Sequence, residues 1–287
     1  MATPVIQSFQ TASADSAASV TVTKPVSLAT GDLMVAMFFT YQGITNILDE
    51  AGWTTIHTSK LAGSGADYKA YWKIATAGDV AASNFTFDIS GGSTDSLRII
   101  LFRITGHSAT APVGNNYIAT LSSTTTTPTF TPSFEPKTSD ALLLLGIFST
   151  NMASSGTTIS GYTISGTNPT WTEQYENAET TDHTLGIATA TAPDGNAITS
   201  ISATLSSTGG NHLVSLLSIC ADTNVVATPN SVTLRIQQSA PTPIANTLVT
   251  PASISIRAQL PTPGTRVRDN KWINETANPT TWTNEPL

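Results

Sequence analysis

Charged side chains are scarce in this sequence. Only 11% of its 287 residues are Asp, Glu, Lys or Arg, against about a quarter in an average soluble domain. The net charge is −7, and the few basic residues are dispersed apart from Arg266, Arg268 and Lys271. Such a surface does not attract phosphate groups, so we expect no nucleic-acid partner.

Cysteine pairs and membrane signals are also missing. Cys220 is the single cysteine, so no disulfide can form within the chain. It lies in an apolar run, which favours a buried, inert thiol over a reactive one. The longest apolar run, Ala141–Phe148, is too short for a membrane helix, and the first ten residues show no signal peptide. We therefore expect synthesis in a cytoplasm and no membrane insertion.

Motifs for catalysis, metal binding or cofactor binding are not recognisable. The four histidines, His57, His107, His183 and His212, do not have the spacing of metal ligands. His183 and His212 both begin late strands and could approach each other, but solvent-facing histidines at strand starts are the favoured interpretation. No phosphate-binding glycine loop and no nucleophile elbow occurs. We expect a non-enzymatic protein with no catalytic residue, metal or cofactor.

One short segment has the residue types of a carbohydrate site. Glu173 and Tyr175 follow Trp171, and sugar sites combine a stacking ring with an acid that accepts hydroxyl hydrogen bonds. Trp53 is the corresponding Trp of an earlier segment. The candidate glycan-stacking residues are therefore Trp53, Trp171 and Tyr175. A glycoside hydrolase using Glu173 or Glu176 is a further alternative, and a solvated strand face is the plainer one.

The sequence contains two copies of one pattern. Residues 26–40 and 136–150 each show a polar turn with an Asp and then an apolar run. A Trp-Thr pair follows in both copies, and then a strand containing the tetrapeptide IATA. Each copy ends with a strand, a Gly-Gly turn and a long apolar strand. Landmarks repeated in one order predict a tandem duplication.

Short β-type segments fill each copy. Segments such as SVTVTKPV, WTTIHTS and YKAYWKIA are rich in β-branched or aromatic residues and are bounded by turn residues. About seven or eight strands per copy indicate an antiparallel sandwich or jelly roll. The predicted fold is all-β, with two tandem jelly-roll-like sandwiches and an extended C-terminal arm.

Two segments, Leu33–Phe39 and Leu142–Phe148, are apolar at every position or nearly so. Alternation is expected where one face of a strand meets water, so these segments predict central strands covered on both faces. We expect a second sheet on one face and a loop or partner subunit on the other.

The composition changes after residue 224. Two Pro-bounded units, TPNSVTLRIQQSAPTP and TPASISIRAQLPTPGT, each predict one strand with extended flanks. A lone strand is not stable in water, so each needs a sheet edge to join. The end repeats Trp-x-Asn-Glu at Trp272 and Trp282. The candidate subunit-docking residues are Trp272, Trp282, Leu234, Ile236, Ile254 and Ile256.

These patterns predict three regions. Residues 1–110 form the first sandwich, residues 111–224 the second, and residues 225–287 the arm.

The first copy resembles a module of tailed-bacteriophage virion proteins. The residues that carry the resemblance are Pro25, GDLMVAMFF (31–39), GWTTI (52–56), YKAYWKIATAGD (68–79), FTFDI (85–89) and LRIILFRITG (97–106). The arm's TP-x-S units and terminal W-x-N-E repeats are similar to other phage structural sequences. The second copy lacks the Gly before Asp140 and the Gly before Trp171, which puts its turn geometry in question.

The resemblance implies a virion protein of the tail, fibre, neck or capsid-decoration type, and it implies no catalytic residues. We expect other virion proteins as partners, a homo-oligomer, assembly through the arm, and location in the virion after synthesis in the host cytoplasm. A carbohydrate-binding adhesin or receptor-binding protein, with a surface glycan as partner, is the alternative.

Overall fold

A computed structural model of the chain describes residues 3–41, 46–61, 66–90, 96–138, 140–166, 168–177, 183–192 and 197–222. The chain divides into two compact units, residues 1–228 and residues 229–287, and all described residues belong to the first unit. The predicted arm and its six candidate docking residues lie outside the described residues. The predicted boundary at residues 110 and 111 falls inside the first unit.

Almost all regular structure is β-strand, which confirms the predicted all-β fold. The first repeat contains eight strands: β1 (Val5–Asp15), β2 (Ser19–Thr23), β3 (Leu33–Tyr41), β4 (Asn46–Ile47), β5 (Thr54–Leu61), β6 (Ala66–Ile74), β7 (Asn84–Ser90) and β8 (Ser96–Thr105). A single-turn helix, α1 (Ala77–Ala81), follows β6. The side chains of Thr76 and Asp79 form a reciprocal capping box at its start.

The second repeat also contains eight strands: β9 (Val113–Thr125), β10 (Thr129–Phe130), β11 (Leu142–Thr150), β12 (Ile159–Ile164), β13 (Thr172–Asn177), β14 (His183–Thr191), β15 (Ile201–Leu205) and β16 (Gly209–Ile219).

The strand order is the same in both repeats. The first forms a five-stranded sheet, β1-β8-β3-β6-β5, and a three-stranded sheet, β2-β7-β4. The second forms β9-β16-β11-β14-β13 and β10-β15-β12. Within each repeat the first strand pairs with the eighth, the second with the seventh and the third with the sixth, all antiparallel. This nesting is the pairing of a jelly roll, except that the fifth strand joins the larger sheet.

The two five-stranded sheets, here called the inner sheets, pack face to face. One continuous core contains Val35 and Phe39 from β3 together with Leu144 and Phe148 from β11. The rings of Phe39 and Phe148 stack with centroids 5.4 Å apart. The expectation of a loop or partner subunit on the second face of these strands was therefore wrong, because the other repeat covers that face.

The three-stranded sheets, here called the outer sheets, cover the remaining faces. Met34, Ala36 and Phe38 of β3 point away from the shared core, into the core between the first repeat's sheets. Leu143, Leu145 and Ile147 of β11 do the same in the second repeat. Every residue of β3 and of β11 is consequently buried, which explains why neither strand alternates in polarity.

A small polar network runs from the shared core to its exposed edge. The Ser215 hydroxyl is 2.8 Å from the Tyr68 hydroxyl and 3.0 Å from Nε2 of His57. Nδ1 of His57 lies 3.1 Å from the Asn116 side-chain oxygen. Burial lowers the pKa of His57 to about 4, so the ring is neutral at pH 7. The network joins β5 and β6 of the first repeat to β9 and β16 of the second.

Candidate functional site

A surface groove opens at one edge of the second sandwich. It lies where edge strand β13 of the inner sheet faces edge strand β12 of the outer sheet, and its volume is about 320 Å³. We call it the Trp171 groove and define it by Ser160, Tyr162, Asn168, Pro169, Trp171 and Glu173. Of the sequence-predicted candidates, it contains Trp171 and Glu173.

The Trp171 ring is held in place by two neighbours. Its indole N–H donates to the side-chain oxygen of Asn168 at 3.2 Å, and the same oxygen accepts the backbone N–H of Ile164 at 3.1 Å. The Tyr162 ring lies 6.4 Å away, tilted by 43°. Asn168 therefore ties the ring to the turn after β12, and the groove has its shape without a ligand.

A β-bulge places Tyr162 under the groove. The β12–β15 register shifts between Ser160 and Thr163, and Gly161 in the bulge has a φ of +57°. Such a backbone favours glycine, and bulges at sheet edges commonly redirect a side chain. The Tyr162 side chain extends inward until its hydroxyl lies over Gly186 of β14. Burial raises the pKa of that hydroxyl, and it has no hydrogen-bond partner among the described residues.

The two carboxylates near the groove play different roles. Glu176 accepts a hydrogen bond from the backbone N–H of Ile159 and so joins β13 to β12. Glu173 is exposed on the same face of β13 as Trp171. Partial burial and the nearby charge of Glu176 raise the pKa of Glu173. Of the two alternative hydrolase residues, Glu173 faces the groove, whereas Glu176 hydrogen-bonds the backbone of β12.

Tyr175 does not belong to the groove. The register of β13 shifts between Glu173 and Tyr175, and Tyr175 pairs with Ile187, which faces the shared core. Its ring packs against that core. The structure thus separates Trp171 and Tyr175 onto opposite faces of one sheet.

Trp53 occupies the position of Trp171 in the first repeat, and other described residues pack around it. We call its surroundings the Trp53 corner, defined by Trp53, Phe85, Phe87 and Lys73. The Trp53 ring packs on Phe85 and Phe87 at 5.9 and 5.4 Å, and Nζ of Lys73 lies 6.0 Å from its centroid. Lys73 is fixed in turn by Asp79 of α1, at 2.6 Å.

The segment Ile47–Glu50 closes the same edge of the first sandwich. The Ile47 carbonyl accepts from Lys69, the Leu48 carbonyl from the Tyr71 hydroxyl, and Asp49 pairs with Lys69 at 2.5 Å. Asp49 also accepts from the hydroxyl of Thr55, which lies at the position of Glu173. The residues that make these contacts occupy the space that corresponds to the Trp171 groove of the second repeat.

The histidines lie in separate environments. His183 and His212 face opposite sides of their sheet, because they align with the neighbouring residues Thr150 and Ser149 of β11. His183 stacks near Tyr41 and Phe148, whereas His212 contacts Ser149 and the Ser123 carbonyl. The two therefore do not approach as a pair. Both are buried, so the expectation of solvent-facing side chains was wrong for these two residues. In the part of the chain that the structure describes, no group of three His, Cys, Asp or Glu side chains could hold a metal ion.

Cys220 is buried, as the sequence indicated, and burial raises the pKa of its thiol. Among the described residues, no helix is long and apolar enough to cross a membrane. The residues that sequence reasoning missed are Ser160, Tyr162, Asn168 and Pro169. The turn dipeptide Asn168-Pro169 just before Trp171 was the available signal.

Three comparisons with known proteins give no match: no family model, no curated protein and no solved structure is similar to this chain at a significant level.

Proposed function

We propose that this chain is a structural protein of a tailed-bacteriophage virion and that it assembles through its C-terminal arm. Its body is the pair of sandwiches, and its partners are other virion proteins and further copies of itself. The proposal gives the chain no catalytic step. The proposal covers tail, fibre, neck and capsid-decoration components.

The shared core between the inner sheets is the observation that carries this proposal. Strands β3 and β11 are buried on both faces, and Phe39 stacks on Phe148 across the junction. Two sandwiches joined in this way behave as one rigid body, since packed cores deform little. A rigid body of this kind suits a protein that transmits load within a particle.

The phage-like residues occupy framework positions, which supports the resemblance. GDLMVAMFF supplies the turn before β3 and most of that central strand, and YKAYWKIATAGD supplies most of β6 and the start of α1. Gly52 has a φ of +78° and forms the turn into β5. Fold alone does not define function, and these residues and the arm add sequence support to the shared core.

The arm supplies the means of assembly. Its two Pro-bounded units contain Leu234, Ile236, Ile254 and Ile256 at alternating positions, as strands that add to a foreign sheet edge do. Trp272 and Trp282 repeat in the same local sequence and fit aromatic anchors. We propose that these residues bind a neighbouring subunit.

Truncation of residues 225–287 tests the proposal. We expect the truncated protein to fold with an unchanged thermal transition and to be missing from particles assembled in cells that produce the remaining virion proteins. A full-length Trp272→Ala/Trp282→Ala variant should show a weaker form of the same defect. Incorporation of the truncated chain at the level of the full chain would contradict the proposal.

A further inference from the structure

The Trp171 groove has the features of a ligand site and not only of a surface irregularity. Its volume of about 320 Å³ lies at the small end of the ~300–1,000 Å³ range of ligand pockets. Its walls come from two edge strands of different sheets, β12 and β13, and from the segment Asn168–Trp171 between them, and each strand is bulged beside it. The Asn168 hydrogen bonds hold its aromatic ring in place before any ligand arrives.

Comparison with the first repeat shows that the groove is not a necessary result of this fold. The Trp53 corner is closed by Lys73 and by the segment Ile47–Glu50, and Thr55 there is hydrogen-bonded to Asp49. The second repeat retains the Trp at the same position but has the exposed Glu173 in place of Thr55. One copy is thus filled by its own chain, and the other presents a ring and a carboxylate to solvent.

The chemistry of the lining selects the class of ligand. Trp171 offers one ring, because Tyr162 is only 6% exposed. Around that ring lie a hydroxyl from Ser160, an amide from Asn168 and the carboxylate of Glu173. A single ring bordered by hydrogen-bonding groups matches a sugar ring, whose C–H face stacks while its hydroxyls bond at the rim. A polyproline segment would instead use a groove lined by several aromatic ridges.

The charge of the groove lining narrows the class of ligand further. Among the residues that the structure describes, the groove is lined by an acid and by no Lys or Arg, and the charge of Glu176 lies close enough to affect Glu173. Sialylated, sulfated or phosphorylated ligands would meet repulsion here without a compensating cation. Hydroxyl groups, by contrast, can donate to a carboxylate.

We infer that the Trp171 groove binds a neutral saccharide, which stacks on Trp171 and donates hydroxyl hydrogen bonds to Glu173. Asn168 acts as a positioning residue that fixes the Trp171 indole. The inference goes beyond the structural function proposed above and does not depend on it.

The test begins with the full-length protein on an array of neutral hexose and N-acetylhexosamine oligosaccharides, with sialylated and sulfated glycans on the same slide. We expect binding to neutral glycans only. The strongest of these is then titrated calorimetrically against the protein. Trp171→Ala should weaken binding at least about tenfold, since most of the stacked area is lost. Glu173→Gln should weaken it by about three- to tenfold.

Two variants keep the test decisive. Thr55→Ala, at the first repeat's counterpart of Glu173, should bind like the unmodified protein. Glu173→Gln preserves side-chain shape, so it decides the outcome if Trp171→Ala fails to fold. The inference is overturned if no neutral glycan binds, if only acidic glycans bind, or if binding survives both groove variants.

Discussion

The Trp53 corner and the Trp171 groove occupy the same position in two copies of one fold. Each Trp precedes the edge strand of an inner sheet, and each strand contains a bulge after its second residue. In the first repeat, Lys73 and the segment Ile47–Glu50 cover that edge. In the second, the same edge is open and contains Glu173. Both rings are partly buried and pack against the core of their own repeat, and the Trp171 ring also borders the groove.

The shared core limits how independent the two repeats can be. Phe39 and Phe148 are both almost completely buried and stack across the junction. We expect Phe148→Ala to lower the free energy of unfolding by about 3–5 kcal/mol. Calorimetry and fluorescence should report one transition in which both repeats unfold together.

Phe39→Ala serves as the matched variant from the other side of the junction and should have a similar effect. The stability lost in the double variant should be smaller than the sum of the two single losses, because the two rings contact each other. Two separate transitions, with only one shifted by Phe148→Ala, would show that the repeats unfold independently.

The next largest effect concerns the two Trp residues. Trp53 packs on Phe85 and Phe87 and lies beneath Lys73, whereas one side of Trp171 faces the groove. We expect Trp53→Ala to cost about 3 kcal/mol and Trp171→Ala about half as much, measured by urea unfolding. Equal losses of stability would show that the two rings contribute equally to packing. That result would contradict the contrast drawn between the Trp53 corner and the Trp171 groove.

Acid should weaken the junction between the repeats. The pKa of His57 is lowered to about 4 by burial, whereas an unfolded histidine titrates near its ordinary value of about 6.5. Between these values the unfolded chain binds a proton that the folded chain does not, so stability falls as the pH falls from 6.5 towards 4. The loss attributable to His57 should reach about 2 kcal/mol, measured as the free energy of unfolding against pH.

His57→Gln isolates this contribution. It removes the titrating group, so its stability profile should be flatter between pH 6.5 and pH 4 than that of the unmodified protein. The pH dependence that remains in this variant includes a contribution from His212, because burial lowers the pKa of that residue as well. If the two stability profiles are parallel, His57 binds a proton as readily in the folded chain as in the unfolded chain, which would contradict the prediction.

The smallest expected effect comes from the bulge beneath the groove. Gly161 has a φ of +57°, and a methyl group there would lie 3.1 Å from the Thr204 hydroxyl. Gly161→Ala should cost about 1–2 kcal/mol from the backbone conformation alone. Gly156→Ala is the matched control, because Gly156 has a φ of +68° with no atom within 4 Å of the added methyl group. A clearly larger cost at Gly161 would assign the difference to its contact with Thr204.

Much of the fold follows from local sequence, but the assembly of its layers does not. The runs Leu33–Phe39 and Leu142–Phe148 correctly predicted strands covered on both faces. They could not say that each covers the other, because an apolar run records that water is excluded and not what excludes it. The turn before Asp140 illustrates a different limit. The first copy places Gly31 in the left-handed region, and the second places Asp140 itself there, with a φ of +62°.

The candidate site was only half predictable for a similar reason. Trp171 immediately precedes β13 and Glu173 is the second residue of that strand, so alternation along the extended chain places both on one face. The same rule would add Tyr175, but the bulge after Glu173 turns Tyr175 to the opposite face. Tyr162 and Asn168 belong to a different sheet and turn, and no local pattern connects them with Trp171.

The complementarity of the inner sheets has a consequence for how such a chain arises. In a single sandwich, the face of β3, β6 and β8 that lies in the shared core would be exposed. A protein with such an apolar face would be insoluble unless a second copy covered it. A chain of one repeat with this face is expected to pair with a second copy, large sheet against large sheet, as an isologous dimer. Two copies in one chain make that association intramolecular and independent of protein concentration. Pairing within one chain also does not require the two halves to be identical, so their edges can differ.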